Sequence, residues 1–85
     1  MKKERVGHII DYFAKIAVAA VDIDSGEIRV GDTLHFSGHT TDFSQEIGSM
    51  QIEKEQVNSA KAGDSVGIKV KERVRGGDEV YKMII

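Results

Sequence analysis

The sequence predicts an all-β fold: a small antiparallel β-barrel of about six strands, with residues 1–85 as one domain. Three observations lead there. The tetrad Gly-Asp-x-(Leu/Val) occurs three times, at Gly31-Asp32, Gly63-Asp64 and Gly77-Asp78, each time just before an apolar-alternating stretch. Gly reaches positive φ without a Cβ clash, and Asp bonds to nearby backbone amides, so each copy reads as a turn that launches a strand. Ser65 to Lys71 alternates cleanly, with Val66, Ile68 and Val70 on one side and Gly67, Lys69 and Lys71 on the other. Turn signals recur about every 8–15 residues, too often for βαβ units.

The elements follow in order. Val6 to Phe13 is a first strand. Lys15 to Ile23 is a second; its apolar run allows a buried helix by periodicity, but Val/Ile content and the Asp24-Ser25-Gly26 turn favour a strand. Ile28 and Val30 form a short apolar bridge. Thr33 to Phe36 is the third strand, with Leu34 and Phe36 on one face. Phe43 to Glu53 is a fourth, bent at Gly48. Lys54 to Lys61 is polar and turn-rich, with room for a helical turn. Ser65 to Lys71 is the fifth strand. Glu79 to Ile85 is the last, with Tyr81, Met83 and Ile85 on one face. The expected core includes Ile16, Val18, Leu34, Phe36, Val66, Ile68 and Val70.

Composition narrows the function classes. There is no Cys, hence no disulfide or thiolate chemistry. No apolar run approaches the ~20 residues of a membrane helix, and the first residues hold no signal-peptide core. Cytoplasm is the expected compartment and no membrane partner is expected. Net charge is −2, against the basic balance usual in nucleic-acid binders. Residues 22–32 lean acidic, residues 69–82 basic.

Three stretches carry a resemblance to a family. Ser25-Gly26-Glu27-Ile28-Arg29-Val30-Gly31-Asp32-Thr33-Leu34, Ala62-Gly63-Asp64-Ser65-Val66-Gly67-Ile68 and Val74-Arg75-Gly76-Gly77-Asp78-Glu79-Val80 resemble, in order, motifs of the second, β-barrel domain of translational GTPases such as elongation factor Tu. As a whole the chain is similar to short stand-alone elongation-factor-like proteins, a group that Ser37–Phe43 and Ser49–Glu53 also resemble. The resemblance implies a barrel associated with translation, with ribosomal or transfer RNA as partner. The departures are equally specific. No Gly-x-x-x-x-Gly-Lys-(Ser/Thr) loop is present, so no nucleotide cofactor is expected. Phe13-Ala14-Lys15 stands where the family has Gly-Arg-Gly. In the segment matching Met50–Ala62, Gln51 and Glu53 replace a Glu and a Phe that help to hold the aminoacyl end of tRNA.

Candidate sites are few. Lys69, Lys71, Arg73 and Arg75 alternate on the outward side of a strand and its following loop, as an RNA-backbone contact or a solvated, edge-protecting face. His39, Thr40, Thr41 and Asp42 form a polar loop, either self-capping or partner-contacting. The spacing of His8, His35 and His39 fits no metal site. Asp22/Asp24 and Glu53/Glu55 read as solubilising pairs without a partner. No catalytic constellation is visible, so a non-enzyme is expected. The first functional expectation is an RNA-contacting translation module; the alternative is a protein–protein adaptor docking onto a separately encoded enzyme.

Overall fold

The computed structural model describes residues 2–84. Ten strands follow one another: β1 (Lys2–Phe13), β2 (Val18–Ile23), β3 (Glu27–Arg29), β4 (Thr33–Ser37), β5 (Asp42–Glu46), β6 (Met50–Ile52), β7 (Glu55–Val57), β8 (Ser59–Lys61), β9 (Ser65–Lys69) and β10 (Glu79–Ile84). Eight form one antiparallel sheet in the order β5-β4-β10-β1-β2-β9-β6-β7, and β3 pairs with β8 in a second ladder.

The all-β antiparallel class expected from the sequence is what the chain adopts. The barrel is not closed, however: β5 and β7 remain the two edges of the sheet. A side chain spans part of the gap instead. Gln45 of β5 donates to the Lys69 carbonyl at 2.9 Å and accepts from the Lys71 amide at 2.8 Å, tying one edge to the end of β9.

Several expected boundaries move. The stretch from Phe43 to Glu53 is two strands, because the chain leaves the sheet over 47–49 while Ile47 exchanges two backbone bonds with the Gly31-Asp32 turn. The residues expected to hold a helical turn form β7 and β8, with Glu53 and Lys54 at positive φ in the hairpin between β6 and β7. Strand β2 starts at Val18, since 14–17 form a turn, and β9 ends at Lys69. In β10 the inward residue is Val80; Tyr81 lies on the other face beneath the Lys3 ammonium, 4.6 Å from the ring centroid. Ile85 lies outside the described residues.

Alternation builds the core. Ala19, Val21 and Ile23 of β2, Leu34 and Phe36 of β4, Val66 and Ile68 of β9, and Val80 are all buried, with Phe36 stacked on Phe43 at 4.9 Å. Of the core residues expected, two are errors, Ile16 and Val18: Ile16, at 56% exposed, sits in the turn before β2, where no sheet face can cover it. Val18 is half-buried on the outer face, opposite in phase to Ala19.

The three Gly-Asp motifs take one geometry. In each, the Asp amide donates to the carbonyl three residues back, and its carboxylate accepts that residue's amide. The pairs are Asp32 with Arg29, Asp64 with Lys61 and Asp78 with Arg75. Gly31, Gly63 and Gly77 occupy the third turn position at φ +99°, +98° and +92°, the left-handed region that glycine enters without penalty. Each turn then docks on one buried isoleucine by two backbone bonds. The Gly amide donates to the carbonyl of Ile47, Ile23 or Ile9, and the same isoleucine's amide donates to the Asp carbonyl. One sequence motif thus sets three identical corners around the core.

Candidate docking surface

The outer face of β1, β2 and β9 carries the most distinctive surface. β2 pairs Val18 with Lys69, Ala20 with Gly67 and Asp22 with Ser65. Since residues alternate across a strand, these six side-chain positions share the outward face. Its middle is floored by Ala20 and Gly67, so it is shallow. One end is apolar with a basic rim; the other is an ionic network.

At the apolar end, β1 and β2 meet in the turn over residues 14–17. The Ile16 and Ala17 amides donate to the Phe13 and Ala14 carbonyls, and Ala17 sits at φ +55°. The Val70 amide donates to the Ala17 carbonyl at 2.9 Å, pinning the tip to the end of β9. Phe13 and Ile16 project from it, 48% and 56% exposed. Beside them lies an open cleft of about 480 Å³, lined by Ile16, Val18, Ser49, Gln51, Gly67 and Lys69. The sequence signal was there: a Phe and an Ile flanking Ala14-Lys15 do not suit a turn unless something covers them.

At the other end, Arg5 pairs with Glu79 and, at 3.0 Å, with Asp24. His8 donates through Nδ1 to the same Asp24 oxygen at 2.9 Å. Ser65 donates to Asp22 at 2.5 Å, and His8 Nε2 lies 3.9 Å from Asp22. The hydrogen bond from His8, then that from Arg5, lowers the Asp24 carboxyl below its ordinary value, and Glu79 and Asp24 raise the Arg5 guanidinium. The reading of Asp22/Asp24 as unpartnered carboxylates is therefore corrected: β1 lies next to β2 and brings Arg5 and His8 onto them. Sequence spacing could not reveal that, because Arg5 and His8 stand 19 and 16 residues from Asp24. Among the described residues, no three His, Cys, Asp or Glu side chains converge as a metal ligand set.

The structure separates the basic residues that the sequence grouped. Lys69 borders the cleft, and the Lys71 amide is held by Gln45. The Arg73 guanidinium lies 6.0 Å from the centroid of the Tyr12 ring. Arg75 turns away and donates through Nε to Thr40 Oγ1 at 3.1 Å. Val70 and Val74 are buried between them, so the four do not form one outward row. In the 39–42 loop, Thr41 is buried and its carbonyl accepts the Gly38 amide at 2.8 Å. Asp42 accepts from His35 Nε2 at 2.7 Å, while His39 is exposed. The loop caps itself more than it offers a site.

The fold is thus an open antiparallel sheet with three Gly-Asp corners. Residues 17–73 match the family model described as Elongation factor Tu domain 2, and the chain belongs to that family. The curated relatives that it matches are named as proteases. Over 82 residues it is 37% identical to a collagenase of Porphyromonas gingivalis, covering 95% of this chain but 23% of the collagenase. Over 81 residues it is 36% identical to an uncharacterized protease of Methanocaldococcus jannaschii, covering 94% of this chain and 20% of the protease. The chain thus spans between a fifth and a quarter of these curated relatives. Among solved structures, it superposes on the C-terminal domain of a Geobacillus thermoleovorans protein assigned as a U32 peptidase. The TM-score is 0.87 at 24% identity, over 95% of this chain and 93% of that domain, a likeness of fold.

These relatives overturn the expectation of a stand-alone elongation-factor-like protein that serves translation by binding RNA. The domain-2 motifs that suggested it, at Gly31, Gly63 and Gly77, are the corner turns of the scaffold and say nothing of its partner. No helix among the described residues is long and apolar enough to cross a membrane.

Proposed function

We propose that this chain is a non-catalytic protein–protein module that docks on the catalytic part of a peptidase of the U32 kind. One observation carries the reading: almost the whole chain aligns, at 37% identity, with less than a quarter of a collagenase. Most of that relative's length lies outside the match, so the chemistry belongs there.

The surface of this chain supports a docking role better than a hydrolytic one. Ser65, Asp22 and His8 lie together, but in the wrong order for nucleophilic catalysis. The hydroxyl donates to the carboxylate of Asp22 rather than to an imidazole, so the hydroxyl–imidazole pair of such a nucleophile is not formed. Thr40 is engaged with Arg75. An exposed Phe13 and Ile16 beside a shallow cleft are, in contrast, what an interface supplies.

Affinity capture with the tagged chain from native lysate of its source, with ribonuclease present, tests the proposal. The expected result is recovery of a U32-type peptidase, while the purified chain alone leaves gelatin uncut. Recovery of ribosomal particles in its place, lost on ribonuclease treatment, would refute it.

A further inference from the structure

The apolar hairpin tip is fixed in place and held out of the core. The Ala17 carbonyl is tied to Val70, and a non-glycine residue at φ +55° is kept there against its intrinsic preference. A pinned turn loses little freedom on binding, which favours its use as an anchor. Ile16 is the most exposed of the large hydrophobics among the described residues, and Phe13, like Ile10, is next.

Lys15 lies in the same turn, Lys69 borders the cleft beside Ile16, and Lys71 and Arg73 follow Val70, whose amide is bonded to Ala17; all four are exposed. None of the four makes an ion pair among the described residues, whereas Arg5, Arg29 and Lys82 do. The chain's net charge is −2, so an unneutralised basic rim runs against its bulk balance. Glu72 is the one acid within the 69–73 stretch.

We propose that this tip is the docking surface, and that its occupant is an apolar patch edged with Asp or Glu on the peptidase's catalytic part. The inference rests on the docking reading above and names the partner's chemistry. Phe13 and Ile16 supply the desolvated centre, and the four cations select a partner whose rim is acidic. A second copy of this chain is a poor occupant. A two-fold contact through the tip would set Lys15 and Lys69 against the same cations of the other copy.

The test places a photo-crosslinking amino acid at Ile16 in one sample and at Gln56, exposed on edge strand β7, in another. Both tagged chains are incubated in native lysate of the source. A cross-link from position 16, and not from 56, to a U32-type peptidase is expected, mapping to a peptide rich in Asp or Glu. A second arm compares Lys15→Glu/Lys69→Glu with the unaltered chain. Capture of the peptidase should fall about tenfold or more, and what remains should lose its salt sensitivity. Because both lysines are exposed, melting temperature should stay the same and exclude misfolding as the cause. Capture of the peptidase without a cross-link at position 16 would overturn this surface and leave the docking reading standing. Failure of capture altogether would overturn both. A cross-link from position 16 to a second copy of the chain, or to RNA in a sample without ribonuclease, would likewise overturn it.

Discussion

Asp78→Ala should destabilise the domain about twice as much as Asp32→Ala or Asp64→Ala, although all three carboxylates make the same bond. Asp78 accepts the Arg75 amide at 2.9 Å and is 6% exposed, while Asp32 and Asp64 are half-buried. Removing a buried acceptor strands its donor and costs about 1–3 kcal/mol, whereas water replaces the acceptor at the open corners, for about 0.5–1.5 kcal/mol. In a domain this size each kcal/mol moves the melting temperature by about 4–8 °C. Taking about 2 and 1 kcal/mol, Asp78→Ala should melt roughly 8–16 °C lower and the other two roughly 4–8 °C lower. Asp78→Asn, which keeps an acceptor oxygen, should recover part of the loss. A double-mutant cycle sharpens the point. A Cβ on Gly38 would lie 1.9 Å from Asp78 Oδ1, so Gly38→Ala should hurt the native chain and hurt Asp78→Ala much less. Thermal melts followed by circular dichroism read all six variants, the double one included. Equal losses at the three aspartates, or additive effects of the Gly38 and Asp78 changes, would refute the reasoning.

The remaining predictions are shorter. Ile68→Ala, at a fully buried β9 position, should cost about 2–5 kcal/mol in chemical denaturation. Gly63→Val should cost about 1–3 kcal/mol by backbone strain alone, since nothing lies within 4 Å of an added Cβ there. Gly7→Ala should cost more, because its Cβ would fall 2.1 Å from the Asp22 carbonyl oxygen; refolding titrations of the two variants rank them. The Asp24 carboxyl is lowered on folding, so its contribution is present above its ordinary value of 3.8 and lost as pH falls through the lower, folded value. Melting temperatures of the native chain and Asp24→Asn should therefore differ at pH 6 and converge only as pH falls from 3.8 through the lower, folded value.

The all-β class was legible because its evidence is local. Alternation at Val66, Ile68 and Val70 dictates which side is buried, and Gly-Asp pairs tolerate few backbone conformations. Strand count was less legible. The 3-residue pairings of β3 with β8 and of β6 with β7 are too short to show a period. Ile16 misled because hydrophobicity says that a residue avoids water but not where it does so. The turn at 14–17 left it outside, and a partner surface is the other way to cover it.

By itself, then, the sequence determined the antiparallel class, the positions of the three corner turns and most of the core, since each depends on residues within a few positions of one another. Only the tertiary structure decided the rest. It joined Arg5 and His8 to Asp24 and sent Arg75 away from Lys69 toward Thr40. It left the sheet open between β5 and β7, with Gln45 spanning to the end of β9. It also raised Phe13 and Ile16 above a basic rim. The physical reason is that strand pairing brings together residues tens of positions apart. A two-residue phase or a bulge, such as those at Arg5/Gly7 and Ile9/Asp11 in β1, changes which of them meet.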